Sequence, residues 1–432
     1  MKFPKKILII YFYNQNPRIT ILDHLYSFDR YSDAYCYYIN LAYQSIPSYL
    51  SFIKFDLIIF HTIYLSLRWN KKLFKDSFLW INILKESNAV KIAVPQDEFI
   101  NTDILNEFIN QFNIKCIFSV SPESEWKKIY SDIDFNKVRI YKVLTGYLEP
   151  KTIDRIESIK KISNKMRGID IGYRSWHAEY WLGRHGLLKT KIAEVFSQEA
   201  LKYTLHVDIS TREEDTFFGD DWYQFLLNCK YTIGVEGGSS ILDKDGSIRE
   251  RTNEYVKLNP NANFTEVEQA CFPNADGTFK LFALSPRHLE ACITQTCQIL
   301  IEGSYNGILE KGKHYLELKA DLSNLPEILT IVKEDKLREK IVANAYKDIV
   351  LSEKHTYQQF VEFILEESFK DVLNSPDNQS IEWLSNLIYY WFKIQNYLIW
   401  QVILPWTLFK AFLKSYIPPS IINLVKQIKN RI

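Results

Sequence analysis

FALSPRHLEACITQTCQILIEGSYNGILEKGKHYLELKADLSNL, residues 282–325, is the stretch from which the fold is read. Ser285 is a good N-cap and Pro286 fits the first helical position, so a helix starts there. Two apolar runs follow, TCQILIEG (296–303) and HYLELKA (314–320), each bounded by turn residues and each of strand length. Upstream the same alternation appears in GIDIGYR (168–174), YTLHVDIS (203–210) and KYTIGVEGG (230–238). Downstream, helical patterns at about 322–348 close the unit. Continuously apolar strands alternating with amphipathic helices predict a parallel sheet covered on both faces.

The first third of the chain repeats the pattern. Its runs are KILIIYFY (6–13), FDLIIFH (55–61), AVKIAV (89–94), IKCIFSV (114–120) and KVRIYKVL (137–144). A polar, lysine-rich segment, 149–168, connects the halves. The reading is α/β, with two Rossmann-like doubly wound domains facing each other across a cleft. Residues 1–150 form the first domain, 151–348 the second, 349–375 a closing helix, and 376–432 an aromatic and basic tail. Ligands of such sheets bind beyond the carboxyl ends of the strands, here in the cleft.

The chain has 432 residues and a net charge of +1, so its whole surface is not a nucleic-acid binder. Its six cysteines form no CxxC pair and read as buried, reduced thiols of a cytoplasmic protein. The first strand is followed by YNQNPR, not by G-x-G-x-x-G, and there is no P-loop, H-E-x-x-H or G-x-S-x-G. These absences disfavour dinucleotide-dependent dehydrogenases, P-loop NTPases, zincins and α/β-hydrolases.

Three constellations in the second domain carry possible chemistry. In GYRSWHAEYWLGRHGLLK (172–189), Arg174, Arg184 and Lys189 follow a strand, where cations suit a diphosphate. In GVEGGSSILD (234–243), Gly237 and Gly238 let backbone N–H groups approach a ligand and Ser239 adds a donor. A tight structural turn explains that stretch slightly better. The helix starting at Ser285 aims its positive end, with Arg287 and His288, toward the cleft, and Glu290 one turn on either holds ribose hydroxyls or merely pairs with Arg287 at helical spacing. In the first domain His61 and Asp97 each end a buried strand, where a group could take an acceptor hydroxyl's proton. Asp220-Asp221 is better explained by helix capping than by metal binding.

Arg287-His288-Leu289-Glu290-Ala291, Gly303 to Gly307, Lys311-Gly312-Lys313-His314-Tyr315 and His355-Thr356-Tyr357 together resemble the C-terminal domain of group 1 glycosyltransferases, in the spore-maturation-protein-like branch. The resemblance covers roughly the last third of the second domain. It departs from the family at Thr294-Gln295-Thr296, which stands for a Cys-Gly, and at Phe282, which stands where the first Glu of a Glu-x7-Glu pair would be. It implies a GT-B fold, a nucleotide-sugar donor as substrate, no cofactor and no required metal. The expected function is transfer to a glycan or lipid-linked acceptor in bacterial cell-surface polysaccharide or lipopolysaccharide assembly. The alternatives are a nucleotide-sugar epimerase of the same fold and a non-catalytic sugar-binding or assembly protein.

The tail differs from everything before it. Trp383, Trp391, Trp400 and Trp406 lie among Leu, Ile, Tyr and Phe, and no acidic residue follows Glu382. Lys393, Lys410, Lys414, Lys426, Lys429 and Arg431 are unopposed. Its longest uncharged stretch is too short and polar to span a bilayer. The expectation is an anionic membrane surface as partner through 383–432, short helices broken at Pro405 and Pro418-Pro419, and a peripheral place at the inner face of the cell membrane. The competing expectation is a helical subdomain packed on the catalytic domains, or a dimer contact.

Overall fold

The computed structural model describes residues 5–14, 18–163, 166–370 and 382–415. Strands β1 (Lys6–Tyr11), β2 (Tyr35–Asn40), β3 (Leu57–Phe60), β4 (Val90–Ala93), β5 (Cys116–Ser119) and β6 (Arg139–Lys142) form a six-stranded sheet in the order β2-β1-β3-β4-β5-β6. Every pairing is parallel. The apolar run of β1 is explained by its place inside the sheet. Leu8 and Ile10 join Ile58, Phe60 and Phe108 on one face, while Ile7, Ile9 and Tyr11 join Leu57, Ile59 and Phe118 on the other.

The second sheet is built from β7 (Ile169–Arg174), β8 (Val207–Ser210), β9 (Cys229–Gly234), β12 (Cys297–Ile301) and β13 (Leu316–Leu318), in the order β13-β12-β9-β7-β8 and again parallel. Between β9 and β12 the chain makes an excursion. It contains β10 (Gly237–Ser239), helices Ser247–Leu258 and Phe264–Cys271, and β11 (Leu281–Ala283), which pairs antiparallel with β10. Both sheets follow a doubly wound order, and together they make the expected GT-B fold. The Tyr357–Phe369 helix, capped by the Thr356 side chain, crosses back to the first sheet, where Phe360, Val361 and Ile364 are buried.

The excursion ties the domains together. Asn101 N–H donates to the Asp243 carbonyl and Asp243 N–H to the Phe99 carbonyl, each at 2.8 Å, as a parallel bridge between the domains. Trp181 of the second domain sits edge-on to Trp69 of the first at 5.7 Å, and Trp181, Phe279 and Leu281 belong to the same apolar core as Phe60 and Phe108.

The tail is partly integral to the fold. In the Glu382–Leu398 helix Tyr389 and Phe392 pack on Tyr37 of the edge strand β2, and Asn396 hydrogen-bonds with Tyr11 and Tyr26. Covering an edge strand this way blocks edge-to-edge association. Pro405 does not break the helix, contrary to expectation. A π-turn at Ile399–Ile403 precedes it and the helix runs on over Leu404–Ser415, because a widened turn accommodates a residue that lacks N–H. Pro418-Pro419 lie outside the described residues. All six cysteines are buried.

Candidate functional site

In each sheet the winding reverses beside the first strand, between β1 and β3 and between β7 and β9. The loops leaving those carboxyl ends form the crevice where ligands of such sheets bind. The expected site residues fall there in sequence, but several are turned to other tasks.

His61, directly after β3, is wholly buried. Its Nδ1 accepts from the Ile63 amide at 3.3 Å, capping a short helix, so a neutral ring carries its proton on Nε2. That nitrogen lies 2.8 Å from Nδ1 of His24, which is also buried. Both imidazoles are therefore neutral, with burial pushing the His24 pKa down to about 4. Neither His61 nitrogen is left for an acceptor sugar.

Arg174, the last residue of β7, is buried and fully engaged within its own domain. It donates to Asp208 at 2.7 Å and to the carbonyls of Tyr173, Asp208 and Asp215, and its plane stacks 4.5 Å from the Phe225 ring. These bonds hold it within its own domain. Arg184 pairs with Glu268 and Asp276, both at 2.6 Å, and ties the excursion to its own helix. Ser239 Oγ donates to the carbonyls of Leu182 and Ile241, and Gly238 has φ +125 with its Cα against the Leu281 carbonyl. The Gly237-Gly238-Ser239 stretch is thus the short strand β10, held against β11, and not the tight turn the sequence also allowed. His288 Nδ1 accepts from Ser285 N–H at 3.0 Å, and burial lowers its pKa to about 3, so it caps its helix as a neutral ring and adds no charge.

What remains is a compact group. Lys189 and Arg287 are close enough in the second domain to repel each other. Among the described residues no carboxylate lies within ion-pair distance of either. Burial, with Arg287 adding to it, holds the Lys189 ammonium below its ordinary range. The Asp97 carboxylate of the first domain pulls the Lys189 pKa back up. Arg287 donates to the Arg174 carbonyl and lies 5.4 Å over the Trp222 ring, and Trp222 Nε1 donates to Glu290 at 2.8 Å. Trp222 thus holds the Arg287 and Glu290 side chains one turn apart.

Asp97 is open to water yet closely ringed by protein, and burial raises its pKa against the opposing pull of Arg68 and Lys189. Its backbone is left-handed, with φ +53. Arg68, a wholly buried guanidinium, enforces that turn by donating to the carbonyls of Gln96, Asp97 (2.7 Å), Leu65 (2.9 Å) and Ile100 (3.3 Å). Left-handed non-glycine residues held by their surroundings concentrate at functional sites. Neither Arg68 nor Trp222 carried a sequence signal, because what singles them out is tertiary contact. Among the described residues no group of three or more His, Cys, Asp or Glu is placed to hold a metal.

No family model and no curated protein matches the chain. Several solved structures resemble it. Alr3699/HepE of Anabaena, in complex with UDP-glucose, is 12% identical, with 84% of this chain and 99% of that one covered, at a TM-score of 0.44. A glycosyltransferase of Rickettsia africae is 12% identical over 86% of this chain and 100% of its own, at a TM-score of 0.42. An alpha1,3-fucosyltransferase is 9% identical over 86% and 92%, also at 0.42.

Proposed function

We propose that the chain is a glycosyltransferase that moves a sugar from a nucleoside-diphosphate donor to a glycan or lipid-linked acceptor. The observation that carries this reading is the pair of neighbouring cations, Lys189 and Arg287, neither within ion-pair distance of a carboxylate among the described residues, with the Asp97 charge felt by Lys189 and the Glu290 charge by Arg287. Lys189, a cation desolvated by burial with Arg287 beside it, is costly unless an anion joins it. A diphosphate supplies that anion, and Glu290, steadied by Trp222, sits one helical turn from Arg287 to hold ribose hydroxyls. As the bond from sugar to diphosphate breaks, its electron pair leaves with the phosphate oxygen. Lys189 and Arg287 stabilise that charge with groups already in place. Asp97 takes the acceptor hydroxyl's proton as the new glycosidic bond forms. Its raised pKa makes it the stronger base.

The test is titration of a panel of nucleoside-diphosphate sugars into the full chain, followed by thermal shift and transfer assays. A matched donor at a hundred times its dissociation constant adds about 2.7 kcal/mol of stability. Lys189→Ala and Arg287→Ala each weaken donor binding about 10–100-fold, the worth of one charged hydrogen bond. Asp97→Asn keeps donor affinity and lowers turnover by about 10²–10⁴-fold. Arg174→Ala is expected to destabilise the protein without a matching effect on donor contacts. Activity is expected to survive EDTA. Donor turnover without acceptor would replace transfer by epimerisation, and wild-type donor affinity in Arg287→Ala would remove that residue from the site.

A further inference from the structure

The Glu382–Leu398 helix and its continuation have two unlike faces. The inner face is spent on the protein, through Tyr389, Phe392, Asn396 and Trp400 against Tyr37, Tyr11, Tyr26 and Tyr13. The outer face carries Leu387, Tyr390, Trp391, Tyr397, Trp406 and Phe409, all turned to solvent, with Tyr390 65%, Tyr397 64% and Trp406 55% exposed. Trp406 and Phe409 stack on each other at 5.8 Å, and Lys410 Nζ stands 5.0 Å above the Trp406 ring. A row of large aromatic side chains of this extent on one exposed face marks an interaction surface.

Charge selects the occupant. No acidic residue follows Glu382 in the sequence; Lys393, expected to be unopposed, pairs with Asp29 at 3.8 Å, and the cation on the stripe is Lys410. A second copy of the stripe would set Lys410 against Lys410, and no carboxylate among the described residues pairs with that lysine. A surface of phosphate groups over hydrocarbon answers both features, since aromatic rings settle at the bilayer interface and lysines reach the headgroups. No helix among the described residues is long and apolar enough to cross a membrane. We infer that the outer face of residues 387–410 lies flat on a bilayer rich in anionic phospholipid, while its inner face holds the first domain against that surface. This surface is separate from the crevice and does not rest on the transfer reaction.

The inner face contributes to the core, so the experiment uses point variants of the full chain instead of a truncation. Co-sedimentation is measured with vesicles of phosphatidylcholine alone and of phosphatidylcholine with phosphatidylglycerol. Wild-type protein is expected to pellet with the anionic vesicles and to release as salt is raised. The paired change Trp391→Glu with Trp406→Glu, and Lys410→Glu separately, are each expected to lower partitioning at least ~10-fold. Because these side chains are exposed, melting temperature and donor binding stay at wild-type values. Wild-type protein left in the supernatant, or pelleting unchanged in the tryptophan variant, overturns the inference. So does a dimer in sedimentation equilibrium that the tryptophan variant dissolves, which would assign the face to a second copy.

Discussion

The buried histidines make stability depend on pH. His24 and His288 are each 4% exposed, and burial lowers their pKa values to about 4 and about 3. An unfolded histidine takes up its proton near pH 6.5, so between that pH and the folded values the unfolded chain binds more protons. Stability is therefore lost as pH falls below about 6.5, at roughly 1.4 kcal/mol per pH unit for each residue. His288→Gln isolates one contribution, because a glutamine at the third helical position can still reach back to the Ser285 N–H without titrating. Urea unfolding at pH 7 and pH 5 should show a difference smaller by about 2 kcal/mol in the variant. An unchanged difference would mean that His288 is protonated in the folded protein.

At the scale of elements, the excursion between β9 and β12 depends on one glycine. A Cβ on Gly238 would stand 1.8 Å from the Leu281 carbonyl oxygen, and its φ of +125 suits no L side chain. Gly238→Ala must part β10 from β11 and is expected to cost more than ~2 kcal/mol, seen as a lowered melting temperature. Gly277 is the control, also left-handed at φ +78 but with open space around it. Gly277→Ala is expected to cost only ~1 kcal/mol. Equal losses would place the constraint in the turn and not in the strand pairing.

For the whole molecule, the contacts of the excursion decide how freely the domains move. Domain interfaces commonly permit relative motion, but a shared apolar core opposes it. Trp181 is nearly buried between Trp69 and Phe99, and Arg249 donates across the same seam to the Trp69 carbonyl at 2.8 Å. Wild-type protein is expected to unfold in one calorimetric transition. Trp181→Ala removes a large core side chain at a cost of about 3–5 kcal/mol. If the seam couples the domains, the variant's transition broadens or divides. A single sharp transition, merely shifted down, would show that Trp181 stabilises one domain only.

By itself the sequence determined the fold class, since continuous apolar runs such as KILIIY and CQILI, spaced by amphipathic stretches, can be satisfied only inside covered parallel strands. It also marked the start of the helix at Ser285-Pro286 and brought Lys189, Arg287 and Asp97 onto one list. It did not separate them from Arg174, Arg184 and His61, because a cation or imidazole after a strand reads the same whether a ligand or a carbonyl answers it. That choice belongs to partners distant in sequence: Asp208 for Arg174, Glu268 and Asp276 for Arg184, and His24 for His61. The tail divides in the same way. Its aromatic and basic composition was legible residue by residue, but which aromatics are buried was settled only by the edge of β2 that the helix covers.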